Sequence, residues 1–419
     1  MFYRWYIVAA AGLLSFLYGS MVVYGFTVLL DPIAAETGWS YTHLSLASSI
    51  RGTESALLAP FIGAMADRWG PKRLVLCGSI IVGLGLFLLG RVSTLAMFYI
   101  AFATIAVGST GIISAVLFVP IVHWFKKGVG KAIAIVSACA GLSGLMVPLL
   151  TRLVDAYGWR TIVPMLACMW VLGIPLSFVF RHRPEPYGYL PDEVDETSMH
   201  NLGSSDPSHC GIGIRQALKS RRFWQIAFAF MLPMMASGAV IIHIMPYLSS
   251  VGITRPTASL IVMAIPTLSV ATRLGFGWVA DYLEAKYLVS IAFGLLAMGM
   301  LAFACLGSSH WLFVPFLIAF SAGYGGMYVL KPILIRGQFG TRAFGTILGA
   351  TDSAMVIGTI LGAPLAGWVF DTKGMYQPIW FIFTGDLFLA LLLIITIPSA
   401  RRELLPGRGV KSLHKRTMR

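Results

Sequence analysis

Long apolar runs alternate with short polar breaks along almost the whole chain. A run of about 18 or more mostly apolar residues is long enough to cross a lipid bilayer as a helix. On that criterion the pattern predicts twelve spanning helices, at 6–30, 41–66, 73–90, 96–124, 131–154, 160–180, 223–250, 256–281, 286–307, 310–335, 343–370 and 378–398. One long polar stretch interrupts it, beginning at Arg181 with RHRPEPYGYLPDEVDETSMHNLGSSDPSH. That stretch is rich in Pro, Ser, Asp and Glu and too poor in apolar residues to bury a core. Six predicted helices precede it and six follow. The expected division is a first six-helix bundle (1–180), a linker (181–222), a second six-helix bundle (223–398) and a basic tail (399–419). The predicted fold class is an all-α membrane protein of two pseudo-symmetric six-helix bundles.

Composition agrees: 57% of the residues are hydrophobic and 11% charged. The net charge of +14 suggests nucleic acid in a soluble protein, but here the positions of the charges decide otherwise. Arg4, Arg68, Lys72, Arg73, Lys126, Lys127, Lys131, the linker, Lys286, Arg336, Arg342 and the tail fall on one side of the predicted spans. The other side holds Arg91, Arg152, Arg160, Arg255 and Lys373. By the positive-inside rule the crowded side is cytoplasmic, which puts both termini in the cytoplasm and the chain in the cell inner (plasma) membrane. Membrane lipids are the expected surroundings, no nucleic-acid partner is expected, and a monomer suffices. Cys77, Cys139, Cys168, Cys210 and Cys305 form no C-x-x-C pair, so no disulfide framework or metal site is expected. The first apolar run is too long for a signal-peptide core and is expected to remain as the first helix. Nothing resembles a P-loop, an H-x-x-x-H metal pair or a nucleophile beside a base. No cofactor and no enzyme activity are expected.

Between the second and third predicted helices lies GAMADRWGPKR, Gly63 to Arg73. Gly63 permits close helix packing. Asp67 stands where it can face a helix N-terminus or a basic partner. Arg68 adds a neighbouring charge, Gly70 and Pro71 make a tight turn, and Lys72 and Arg73 follow. The pattern G-x-x-x-D-R-x-G-x-[KR]-[KR] resembles the signature of the major facilitator superfamily. A degenerate copy, GWVADYLEAK from Gly277 to Lys286, repeats the spacing of Gly63, Asp67 and Lys72 as Gly277, Asp281 and Lys286. Such a repeat points to duplicated six-helix units, with a site between them near the midplane and alternating access by rocking. Asp67 and Asp281 are expected to latch one end of the molecule shut.

Further segments resemble one branch of that superfamily, the monocarboxylate transporters and bacterial oxalate/formate exchangers. They are WFKKGVGKAIAIVSACAGLSGLMVPLL from Trp124, AYGWR at Ala156–Arg160, RPEPYGYLPDE in the linker, and RGQFGTRAFGTILG at Arg336–Gly349. The resemblance implies an arginine on helix eight that holds the anion, which is Arg273 here. By helical rise Arg273 lies ~12 Å in from Asp281, and Asp352 ~15 Å in from Arg342, both near mid-membrane. A buried charge there needs a reason. Either Arg273 binds a substrate carboxylate or it pairs permanently with Asp352. Oxalate exchangers of the branch carry a second cation on helix eleven, whereas no Lys or Arg occurs between Arg342 and Lys373 here. That favours a monocarboxylate, lactate- or pyruvate-like, with a proton carried on Asp352.

Other candidates are weaker in chemistry. Arg51 and Glu54, one turn apart, form either a self-satisfied pair at the outer gate or, through Glu54, a proton carrier. His243 is either a packing residue or a proton relay. Tyr324 and Tyr328 offer hydroxyls to a carboxylate or simply pack. Ser114 is the polar group of the otherwise apolar fourth-helix wall SAVLFVP, a wall suited to a short alkyl chain. Lys331 is placed near the cytoplasmic end of helix ten, snorkelling. The leading expectation is a secondary transporter of a small carboxylate coupled to protons or run as an exchanger. The runner-up is a proton-coupled exporter of amphiphilic compounds.

Overall fold

The computed structural model describes residues 3–39, 41–112, 114–182 and 211–398. Its long helices are α1 (Tyr3–Thr37), α2 (Tyr41–Trp69), α3 (Pro71–Gly90), α4 (Leu95–Trp124), α5 (Val129–Tyr157) and α6 (Trp159–Val179). They continue with α7 (Arg221–Ser250), α8 (Arg255–Val279), α9 (Ala285–Ala304), α10 (Phe313–Phe339), α11 (Phe344–Lys373) and α12 (Gln377–Ile395). A short helix, Ile214–Lys219, leads into α7. Among the described residues no strand occurs beyond one isolated bridge between Gly211 and Gly340. Most of the predicted linker and the tail lie outside the described residues, and so does Cys210. The other four cysteines are free thiols.

Eleven of these helices are apolar and long enough to cross a bilayer. The other is α2, which carries Arg51, Glu54, Asp67 and Arg68 among several hydroxyl residues. Its polarity is a consequence of facing the middle of the molecule. Large apolar side chains such as Phe61, Ile100, Ile242, Leu260 and Trp368 are instead exposed on the outside, where lipid is the favourable solvent.

The helix pairings of the first half recur in the second. α3 packs on α4 and α6 as α9 packs on α10 and α12. α2 packs on α4 as α8 packs on α10, and α1 on α5 as α7 on α11. Lipid provides no hydrophobic drive between helices, so close backbone approach over small residues supplies the packing. Gly78 and Gly108 exemplify it: a Cβ on either would stand within 2.7 and 2.9 Å of the other's carbonyl oxygen.

Several first-half helices change character along their length. α1 passes through a π-helical turn at Gly19–Tyr24, and α5 through a 3-10 turn at Ser143–Met146. Both lie beside the cavity described below. π-helical turns recur at functional sites because they widen the helix and redirect side chains.

Candidate functional site

Two helix pairs make the main joints between the halves, α2 with α11 and the first segment of α5 (Val129–Leu142) with α8; α4 with α11 and α5 with α10 add smaller ones. Both are sealed at one end by the aspartates of the repeated motif. Asp67 Oδ1 accepts from the Gly345 amide, and Oδ2 from the amide and hydroxyl of Thr346, each at 2.8 Å. Gly345 and Thr346 open α11, so a residue of the first half caps a helix of the second. Asp281 repays the arrangement: it accepts from the amides of Gly130 (2.8 Å) and Lys131 (3.4 Å) at the start of α5. An aspartate satisfies the orphan N–H groups of a helix start and complements its positive end.

The motif glycines make this approach possible. A Cβ on Gly63 would lie 2.1 Å from the Gly345 carbonyl oxygen, and one on Gly130 would lie 2.2 Å from that of Gly277. Gly70 turns the chain at φ +79, and Pro71 starts α3. Of the motif's basic residues, Arg68 and Arg73 are exposed and Lys72 lies over the Phe178 ring at 4.4 Å. Arg336 adds a further tie across the halves, donating from Nη2 to the Phe125 carbonyl at 2.8 Å. At the opposite end the second segments of α1 (Gly25–Thr37) and α5 (Val147–Tyr157) find their main neighbours within the first half. There Glu36 accepts from Trp159 Nε1 and Arg160 Nε, both at 2.5 Å, which gives the AYGWR segment a bracing role.

Between the halves, at mid-height, lies a cavity of about 500 Å³. Its first-half wall is mixed: Val23, Ile62, Ile112, Leu117, Phe118 and Val136 give an apolar patch, and Tyr18, Tyr24, Arg51 and several Ser and Thr hydroxyls line the rest. The second half supplies Arg273, Tyr324, Tyr328, Lys331 and Asp352. Arg273 is 8% exposed. Its Nη1 donates to the Ser137 carbonyl of α5 at 2.6 Å, and its guanidinium lies 5.2 Å from the Tyr328 ring centroid. Its Nε is buried without a partner. The Tyr324 and Tyr328 hydroxyls are 3.3 Å apart.

Asp352 does not pair with Arg273. It forms an ion pair with Lys331, whose ammonium also lies 3.1 Å from Met355 Sδ. Lys331 is 4% exposed, so the expectation that it snorkels to a helix end is wrong. It stands eight residues from Phe339, the last residue of α10, which is ~12 Å of helix. The depth estimate applied to Arg273 would have found it, and so would its place one turn after Tyr328. Tyr24, on the π-helical turn, also lines the cavity with no preceding sequence signal.

Arg51 lines the cavity too, but the expected pair with Glu54 is absent among the described ion pairs. Arg51 Nη1 instead donates to the Val22 carbonyl in the π-helical turn at 2.9 Å. Glu54 is partly buried outside the lining. His243 lies away from the cavity, where it joins α7 to Tyr376 (3.2 Å) and to the Ala363 carbonyl (3.0 Å). Ser114 begins the second segment of α4, and its side chain lies outside the described residues. Among the described residues no cluster of His, Cys, Asp and Glu could hold a metal ion.

Two repeated helical bundles with a polar cavity sealed at one end have the architecture of a membrane solute transporter. A model of the Major Facilitator Superfamily matches residues 10–350 and 234–417, and the chain belongs to that family. It is 23% identical over 391 residues to monocarboxylate transporter 12 of Xenopus laevis, covering 86% of this chain and 80% of that one. It is 25% identical over 378 residues to the oxalate:formate antiporter of Oxalobacter formigenes, covering 87% and 86%. Among solved structures it superposes on the proton:xylose symporter XylE with a TM-score of 0.74 at 14% identity, covering 95% and 96%. The transporter FucP in its outward conformation gives 0.70 at 14% identity, covering 93% and 97%. The expected superfamily, the resemblance to its monocarboxylate transporter and oxalate/formate exchanger branch, and the twelve-helix fold are thereby borne out.

Proposed function

We propose that this transporter carries a small organic acid, most simply a monocarboxylate, across the cell inner membrane by alternating access. The observation that carries the reading is Arg273: a buried guanidinium at the cavity wall with an unused N–H. The planar fork of a guanidinium suits a carboxylate in a water-poor site. The neighbouring hydroxyls of Tyr324 and Tyr328 supply further donors. Among the described lining residues Lys331 is paired with Asp352, while Arg51 and Arg273 each donate to a backbone carbonyl and keep their charge; Arg273 also has an Nε without a partner, which favours it for the carboxylate. The apolar patch of the first-half wall around Ile62, Ile112, Leu117 and Phe118 takes the alkyl part of the acid. The two relatives, a monocarboxylate transporter and an oxalate:formate antiporter, are in keeping with such a cargo.

The reading extends to gating. The Arg273 bond to the Ser137 carbonyl ties α8 to α5, and an arriving carboxylate competes for the same guanidinium. Binding therefore loosens one tie between the halves while Asp67 and Asp281 hold the end of the molecule. The basic residues at that end make it the cytoplasmic one, with both termini on that side, so the cavity opens outward. The halves divide at 1–180 and 223–398, with 181–222 as linker and 399–419 as tail, and one copy suffices. Proton symport through Asp352 or Glu54, or anion exchange, drives transport.

The apolar patch also suits a second reading, a proton-coupled exporter of amphiphilic compounds. That cargo depends on Asp352 or Glu54 and does not need Arg273. Thermal unfolding of the purified protein with lactate, pyruvate and propionate separates the two. A ligand at about 100 times its dissociation constant stabilises by about 2.7 kcal/mol. The shift should vanish in Arg273→Ala. A shift that survives this change, or no shift with any acid, refutes the carboxylate assignment.

A further inference from the structure

The cavity holds more positive charge than one carboxylate uses. Among its described lining residues Arg51, Arg273 and Lys331 are cationic, and Asp352 is the only carboxylate. Two positive charges are therefore left over in a space that a monoanion only half neutralises. The ionisable groups that line the same cavity as the Lys331–Asp352 pair are Tyr18 and Tyr24 from α1, Arg51 from α2, Arg273 from α8, and Tyr324 and Tyr328 from α10. The described lining residues of α4, α5 and α7 add no ionisable side chain.

The two partners are not equally covered. The Lys331 side chain is 5% exposed and that of Asp352 is 21% exposed. Both line the cavity, and Asp352 is the more exposed partner of the pair. Lys331 follows Tyr328 by one helical turn, and the guanidinium of Arg273 lies over the Tyr328 ring. Residues three apart on a helix are neighbours, with Cβ atoms about 5–6 Å apart. The two cations therefore flank one tyrosine on the same wall. A buried ion pair adds little stability over an apolar pair of the same size, so its retention beside an anion site calls for a functional account.

We propose that Lys331 is a second acid-binding group masked by Asp352, and that a proton on Asp352 unmasks it for the second carboxylate of a dicarboxylate. The proton is taken up from the buffered solvent and neutralises the Asp352 carboxylate. Lys331 then turns to the substrate, one carboxylate sits on Arg273 and the other on Lys331, and the proton travels with the dianion. With Asp352 ionised the same cavity accepts one carboxylate. This assignment rests on Arg273 as the anion site and extends it.

Titration calorimetry on the purified full chain tests it, with oxalate, malonate and succinate against propionate at neutral and mildly acidic pH. Oxalate keeps both charges across that range. In the wild type, the oxalate-to-propionate affinity ratio should rise on acidification. At neutral pH, buffers of different ionisation heat should report about one proton taken up per dicarboxylate. Asp352→Asn should hold the ratio high at both pH values, about tenfold or more above the neutral wild type, and abolish proton uptake. The double variant Lys331→Met with Asp352→Leu removes the pair without stranding a buried charge, and should give a low ratio that is flat with pH. An unchanged ratio in Asp352→Asn, or an acid-dependent rise that persists in the double variant, overturns the assignment of Lys331. If propionate binds and no dicarboxylate gains on acidification, Lys331 alone loses its role. If no acid binds at all, the Arg273 reading falls as well.

Discussion

Replacing Asp67 by alanine should unlatch one end of the molecule, and its magnitude follows from the contacts it loses. Asp67 accepts three hydrogen bonds of 2.8 Å from Gly345 and Thr346, all crossing from one half to the other. Removing a helix-capping side chain costs about 0.5–2 kcal/mol, and an ionised cap also forfeits its interaction with the helix dipole. A loss of about 1–2 kcal/mol shifts a two-state ratio by about 5–30-fold. Asp281 makes one bond of 2.8 Å and one of 3.4 Å, so its removal should cost about half as much, a shift of about 2–5-fold. Spin labels at the exposed positions Trp69 and Arg342, in a background without native cysteines, report the opening of this end as a longer distance population. Asp67→Ala should enlarge that population more than Asp281→Ala does. An unchanged distance distribution in Asp67→Ala, or a larger effect of Asp281→Ala, would refute the capping argument.

Two further outcomes follow from contacts in the structure. Gly63→Ala places a methyl group 2.1 Å from the Gly345 carbonyl oxygen, so the sealed state should lose about 1–3 kcal/mol and the initial uptake rate should fall with it; wild-type uptake would contradict this. His243→Phe removes the bonds to Tyr376 and Ala363, so the melting temperature should drop by the equivalent of about 1–3 kcal/mol, while the pH profile of transport keeps its shape; an altered profile would restore His243 as a proton relay.

The helices were legible because a bilayer demands long apolar runs, and every predicted span overlaps an observed helix with ends a few residues apart. Helix one shows the largest change, running from Tyr3 to Thr37 where 6–30 was expected. Its far end is braced by the polar contacts of Glu36, which hydropathy does not register. The repeated Gly and Asp spacing also announced two related halves, and the structure turns it into reciprocal helix caps. Arg273 was legible as well, because a charge eight residues inside an apolar run has few uses there.

The pairing of the charges belonged to the tertiary structure. Arg51 and Glu54 are spaced to meet on one helix, yet Arg51 turns to a carbonyl that the π-helical turn of α1 presents. Asp352 and Arg273 were placed at similar depths, yet Lys331 reaches the carboxylate from a different helix. Sequence alone determined which segments cross the membrane and roughly how deep each charge lies, because hydropathy and the 1.5 Å rise act along one helix. Which charge meets which depends on rotation and contact between helices distant in the chain, a property of the assembled bundle.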